Sequence, residues 1–137
     1  MTGGNGFIGS HLVQRLLGSR FEVTCLLRET SDTRFIGGEL PQVRTCVGEL
    51  RDAASLAAAV RGADAVVHCA GTTAALRRAD YFAVNEQGTR NLVDACSAPE
   101  AGVRHLVVLS SLAAAGPGTV ERPAAETDRP APVSAYG

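Results

Sequence analysis

Apolar positions recur along the chain with two different periods. Phe7, Ile8, Leu12, Val13, Leu16 and Leu17 follow helical spacing, which puts an apolar stripe on one face of a helix over 7–18 that Gly18 would end. Phe21 to Leu27 is a β-branched and apolar run of strand length, and Thr30, Ser31 and Asp32 mark a loop behind it. Val43 to Val47 predicts a second short strand, closed by Gly48. Asp52 is placed to cap a helix over 53–61 that Gly62 stops. Ala63 to Ala70 predicts a third strand, 79–97 a longer helix, and His105 to Ser110 a fourth strand entered after Gly102. The remainder is rich in Pro, Gly and Ala and reads as loop until about Val133, where another helix is expected.

Strands alternating with helices through short loops predict an α/β fold, a Rossmann-like doubly wound parallel sheet with helices on both faces. The strands are continuously apolar, as expected where both faces are covered. No repeat or second domain is visible, so residues 1–137 read as one domain.

Composition narrows the function classes. The chain is 45% apolar and 20% charged with a net charge of −1, a globular balance that gives no electrostatic case for nucleic acid or an anionic membrane. No apolar run approaches the ~18–20 residues a membrane span needs. The opening Met-Thr-Gly-Gly-Asn-Gly has neither the basic stretch nor the apolar core of a signal peptide. Cys25, Cys46, Cys69 and Cys96 form no CxxC pair and read as small buried hydrophobes in a reduced compartment, so no metal site is expected and the cytoplasm is the expected location. All 13 basic residues are Arg.

The first nine residues carry the most chemistry. Gly3, Gly6 and Gly9 are spaced GxxGxxG, and Gly4, Gly6 and Gly9 satisfy GxGxxG, directly ahead of the amphipathic helix. One glycine permits a turn at positive φ, another lets backbone approach a pyrophosphate, and the last lets helix and sheet pack closely. The phosphates then meet free N–H groups and the positive end of the helix dipole. The motif also wants a strand ahead of it, and only Met1 and Thr2 precede the glycines. The expectation is therefore a chain truncated at its N-terminus, lacking a central strand and left with two half-sheets.

Several blocks agree with this reading. Thr2-Gly-Gly-Asn-Gly-Phe-Ile-Gly-Ser-His-Leu-Val13, Val47-Gly-Glu-Leu-Arg-Asp52, Val67-His-Cys-Ala-Gly71, Asn85-Glu-Gln-Gly-Thr-Arg-Asn-Leu92, Leu109-Ser-Ser111 and Ser134-Ala-Tyr-Gly137 occur in that order. Together they resemble the extended short-chain dehydrogenases/reductases, the NAD-dependent epimerase/dehydratase family. The resemblance implies that Gly3, Gly6, Phe7, Ile8 and Gly9 face the cofactor, that Glu49 and Leu50 pass its adenine, and that Cys69, Ala70, Gly71 and Asn85 lie beside it. It implies Ser111 as the residue that orients and polarises a substrate oxygen, and Tyr136 as general acid/base. In the family a Lys four residues after the Tyr activates the phenol, because an unperturbed phenol near pKa ~10 is a poor base at neutral pH. This chain has no Lys, and the family's C-terminal substrate region is missing as well. The chain as given is therefore expected to be inactive.

An acidic residue ending the strand over 21–27 would favour NAD through the adenosine ribose. Leu27 holds that place and Arg28 follows, so Arg28, with Ser31 and Arg34 assisting, points to NADP in preference to NAD. The leading reading is the cofactor-binding part of an NAD(P)-dependent epimerase, dehydratase or reductase acting on a small molecule, a nucleotide sugar or a related hydroxy or keto compound. Hydroxysteroid or flavonol-type ketones are the alternative substrates, and a non-catalytic NADP-binding redox sensor is the alternative function. A homodimer through the 79–97 helix is a further expectation for the intact protein. His68 reads as a buried, hydrogen-bonded strand-end residue.

Overall fold

Four short strands and the helices between them follow the predicted rhythm. The structure, a computed structural model, describes residues Met1–Gly137. Helix α1 (Phe7–Gly18) leads to β1 (Thr24–Leu27), a 3₁₀ turn at Leu40–Gln42, β2 (Arg44–Val47), α2 (Ala53–Val60) and β3 (Ala65–His68). A helical stretch follows in three parts, α3 (Arg78–Tyr81), a π-helical turn at Phe82–Gln87 and α4 (Gly88–Ser97), and then β4 (His105–Val108) and the single turn α5 (Leu112–Ala115).

Strand β1 shows why helices settle on both sides of the sheet. Side chains alternate faces along a strand. Cys25 and Leu27 pack with Val13, Leu16 and Leu17 of α1, whereas Leu26 packs with Leu56 and Val60 of α2, Val66 of β3 and Leu92 and Cys96 of α4. Leu56 and Leu92 are essentially sealed from solvent, each contributing about 1.5–3 kcal/mol by burial. Asp52 caps α2 as the sequence predicts, its Oδ1 accepting from the N–H groups of Ala54 at 3.0 Å and Ser55 at 3.3 Å.

The strands are parallel, β1 with β2 from Thr24↔Arg44 to Leu27↔Val47 and β3 with β4 from Ala65↔His105 to His68↔Val108. These are the two expected half-sheets, with one addition. Thr2 forms a parallel bridge to Leu26 on one side and to His68 on the other, so the first two residues stitch the halves together. Leu26 N–H donates to Met1 O at 2.9 Å, Thr2 N–H to Val67 O at 3.0 Å and Cys69 N–H to Thr2 O at 3.1 Å. At the amino ends of the strands, β1 and β3 part around a cavity of about 880 Å³ whose walls include Met1, Val23, Ala65 and Val67.

Four expectations are corrected. The first strand begins at Thr24 rather than Phe21, because the chain leaving α1 turns through Arg20 at φ 64° and leaves Phe21 61% exposed. The helix over 79–97 is interrupted by a π turn, which sequence periodicity does not report. No helix starts at Val133; the helical turn after β4 lies instead at Leu112–Ala115. The expected double coverage also fails at the sheet's flanks, where Val47 and Val107 stay exposed, since α1, α2 and α4 pack chiefly over β1 and β3. All four cysteines are free thiols, Cys25 and Cys96 buried and Cys46 and Cys69 half-buried.

Candidate functional site

The carboxyl ends of β1 and β3 open on a cleft of about 430 Å³. Nine of the residues singled out from the sequence line it together: Gly3, Gly6, Arg28, Ser31, Glu49, Leu50, Cys69, Ala70 and Gly71. This is the end of a parallel sheet at which open α/β folds bind ligands.

The glycine loop is shaped by backbone crowding. Gly3 sits at φ +68°, and a Cβ there would lie 2.5 Å from Ala70 N; a Cβ at Gly9 would lie 2.0 Å from Gly3 O. Those two glycines let the loop, α1 and the end of β3 approach one another. Gly6 differs: a Cβ there would meet only Gly3 O, at 3.4 Å, so nothing in the protein occupies its open side. Gly6 is also the N-cap of α1, with no side-chain cap and no acidic residue in the first turn. The first-turn N–H groups of Phe7, Ile8 and Gly9 consequently keep no protein acceptor, and the helix dipole adds positive potential there. Phe7 and Ile8 are exposed at 67% and 58% and lie outside the cleft lining, as does Gly9.

Past β1, the chain folds into a self-braced loop. Ser31 N–H donates to Arg28 O and Ser31 Oγ accepts from Arg28 N–H, both at 2.9 Å. Arg34 is held by Asp32, which accepts from both its backbone N–H and its guanidinium. That pairing keeps the Asp32 carboxyl below its ordinary value. Arg28 has no carboxylate partner, whereas Arg51, also in the lining, has Glu49 at 3.9 Å.

Beneath the cleft floor, His68 is 2% exposed. Its Nδ1 bonds Thr2 Oγ1 at 2.6 Å and its Nε2 bonds Thr89 Oγ1 at 2.9 Å, tying the first residues to α4. Burial pushes its pKa down, which favours the neutral ring. Asn85 lies behind Gly71 rather than in the lining: its Oδ1 accepts from Thr72 N–H at 2.7 Å and its Nδ2 donates to Thr72 O at 2.9 Å. The π turn carries Asn85, and such turns often mark functional positions.

Ser111 and Tyr136 stand apart from the cleft lining. Ser111 caps the α5 turn, its Oγ accepting from Ala113 N–H at 3.2 Å. Gly137 backs onto the same turn, where a Cβ would lie 2.2 Å from Ala113 O. The Tyr136 ring lies 6.2 Å from that of Tyr81, a residue the sequence reading passed over. Asn5, Thr72, Asp80 and Val84 also line the cleft and were not singled out. Asn5 was within reach, being the variable position between Gly4 and Gly6; the others are joined to the site only by the tertiary fold.

The model of the NAD dependent epimerase/dehydratase family matches residues 1–137. The 3 beta-hydroxysteroid dehydrogenase type 7 of Homo sapiens is 37% identical over 133 residues, covering 90% of this chain and 35% of that protein. The human sterol-4-alpha-carboxylate 3-dehydrogenase, decarboxylating, is 33% identical over 112 residues, covering 81% of this chain and 28% of its own length. The chain thus spans about a third of these relatives. Among solved structures, the UDP-glucose 4-epimerase of Thermus thermophilus, in complex with NAD, matches with a TM-score of 0.80 at 34% identity, over 98% of this chain and 44% of that one. Bordetella bronchiseptica WbmG, in complex with NAD and UDP, matches with a TM-score of 0.81 at 28% identity, over 99% of this chain and 44% of that one.

Proposed function

The chain belongs to the NAD dependent epimerase/dehydratase family, and on that premise we propose that residues 1–137 form the cofactor-binding part of a nicotinamide-dependent dehydrogenase, epimerase or dehydratase. One observation carries the reading. The first turn of α1 keeps its N–H groups unpaired beside Gly6, whose open side no protein atom fills. Free N–H groups at a helix N-terminus suit a dinucleotide's diphosphate. Gly3 and Gly6 would receive it, Glu49 and Leu50 would flank the adenine, and Cys69, Ala70 and Gly71 would line the path towards the nicotinamide.

Arg28 supports NADP over NAD: it lines the cleft directly after β1 and no carboxylate neutralises it. When bound, the nicotinamide supplies a hydride acceptor and donor for a substrate carbinol or carbonyl carbon. Tyr136 would move the proton at the substrate oxygen and Ser111 would hold that oxygen. Ser111 Oγ accepts from Ala113 N–H, which leaves its own O–H to donate. Residues 1–137 contain no Lys to sit beside the Tyr136 phenol, and turnover by these residues alone is not expected.

Two substrate classes follow from the relatives. The solved neighbours include sugar-nucleotide enzymes, which supports a nucleotide sugar. The human relatives are sterol and hydroxysteroid dehydrogenases, which supports a hydroxysteroid. Calorimetric titration of the full-length protein with NADP and NAD tests the cofactor reading, and indifference to both overturns it. Turnover with a 3β-hydroxysteroid against UDP-glucose then separates the substrate classes.

A further inference from the structure

We infer that Asn5 is a positioning residue that sets how strongly the cleft favours a 2′-phosphorylated adenosine, by holding the loop of residues 28–34 against the glycine loop. The inference rests on the reading above, in which the glycine loop takes the diphosphate and Arg28 faces the ribose.

Residues 28–34 are a rigid unit with little anchorage of their own. The Arg28–Ser31 turn is closed in both directions, and Asp32 locks Arg34. Most of its residues, including Arg28, are exposed, so core packing does not place it. Two ties join it and its flank to the glycine loop and the start of α1. Asn5 Nδ2 donates to the backbone carbonyl of Asp32 at 2.8 Å, and the Phe7 ring meets the Phe35 ring edge-on at 6.3 Å. Asn5, Arg28 and Ser31 all line the cleft.

The consequence lies in the ligand's covalent span. The 5′-diphosphate and the 2′-position of one adenosine are joined through a single ribose and a few rotatable bonds, so their separation varies only over a short range. Both can be met only if Arg28 and the first turn of α1 are held in register. Arg34, spent on Asp32, does not offer a second free cation, so the discrimination depends on where Arg28 stands. Asn5 controls that placement without itself needing to touch the 2′-phosphate.

The test uses the full-length protein with Asn5→Ala and the isosteric Asn5→Asp, neither of which can donate to the Asp32 carbonyl. Binding of 2′,5′-ADP and 5′-ADP is measured by calorimetry. Tryptic cleavage after Arg28 and Arg34 gives a readout of loop docking that needs no nucleotide. Loss of one exposed hydrogen bond is expected to weaken 2′,5′-ADP about five-fold, leave 5′-ADP within about two-fold, and speed cleavage. Equal losses for both nucleotides place Asn5 on the diphosphate instead and overturn the inference. Faster cleavage with unchanged 2′,5′-ADP affinity, or no change in cleavage, also overturns it. A wild type that binds the two nucleotides equally overturns the Arg28 reading and the selectivity it supports; the cleavage rates still report on the clasp separately.

Discussion

Alanine at Gly3 and at Gly6 should act on different properties of the protein, although the two positions are three residues apart. At Gly3 the backbone is left-handed, at φ +68°, which costs an L-residue roughly 1–2 kcal/mol. The new Cβ would also lie 2.5 Å from Ala70 N and 2.6 Å from Cys69 C. These are main-chain atoms held by the Cys69 N–H to Thr2 O bond at 3.1 Å, so they cannot swing aside as a flexible side chain would. Overpacking of that kind adds about 1–3 kcal/mol. A total near ~3 kcal/mol corresponds to a fall in Tm of roughly 6–12 °C. At Gly6 the backbone is extended, at φ −82° and ψ 173°, and any residue can adopt it. The entropy gained by the unfolded-state restriction, about 0.4–1 kcal/mol, roughly offsets the poorer N-cap that Ala makes. Tm should therefore stay within about 2 °C of wild type. The methyl group would instead stand on the face that lines the cleft. Displacing one charge-assisted N–H···phosphate bond costs about 1.5–3 kcal/mol, a roughly ten- to hundred-fold loss of dinucleotide affinity. Scanning calorimetry and titration calorimetry on the full-length variants read both quantities. A Gly6→Ala protein that binds with wild-type affinity, or that melts as low as Gly3→Ala, would refute the reasoning.

Other consequences are more local. Arg28→Ala should lower NADP affinity about ten-fold or more while leaving NAD nearly unchanged, by loss of a charge-assisted contact; parallel titrations with the two cofactors check it. Asn85→Ala should cost about 1–3 kcal/mol in urea denaturation, because it removes both bonds to the Thr72 backbone and leaves those groups half-buried. His68 makes stability depend on pH with a definite sign. Its folded-state pKa lies below the ordinary 6.5, so above that pH the ring is neutral in both states and nothing is lost. As pH falls below 6.5, the unfolded chain takes up the proton first and stability declines until the depressed folded pKa is passed. The denaturation midpoint between pH 7 and pH 5 should slope less in His68→Gln than in wild type; an unchanged slope counts against this assignment.

Much of the architecture was readable from local pattern. The stripe on α1, the apolar run containing β1, the Asp52 cap and the strand–helix alternation depend on residues a few positions apart. The glycine spacing pointed to a phosphate loop for the same reason, since Gly3, Gly6 and Gly9 act within one turn of chain. Where those local signals were ambiguous, boundaries moved, as at Phe21, whose backbone N–H closes the turn out of α1 on Leu16 O and whose side chain stays exposed.

What the linear order left open is held by pairings across long stretches of chain. Thr2 meets His68 66 residues away and so joins the two half-sheets. Asn5 meets Asp32 27 residues away, and Asn91 donates to the Leu50 carbonyl across 41 residues. The π turn that carries Asn85 leaves no periodic mark, because one shifted hydrogen-bond register inside a helix barely alters which positions are apolar. Composition and spacing state which groups are suited to a nucleotide. Their meeting in one cleft depends on β1 and β3 being held on either side of Thr2, through contacts whose partners no local rule selects.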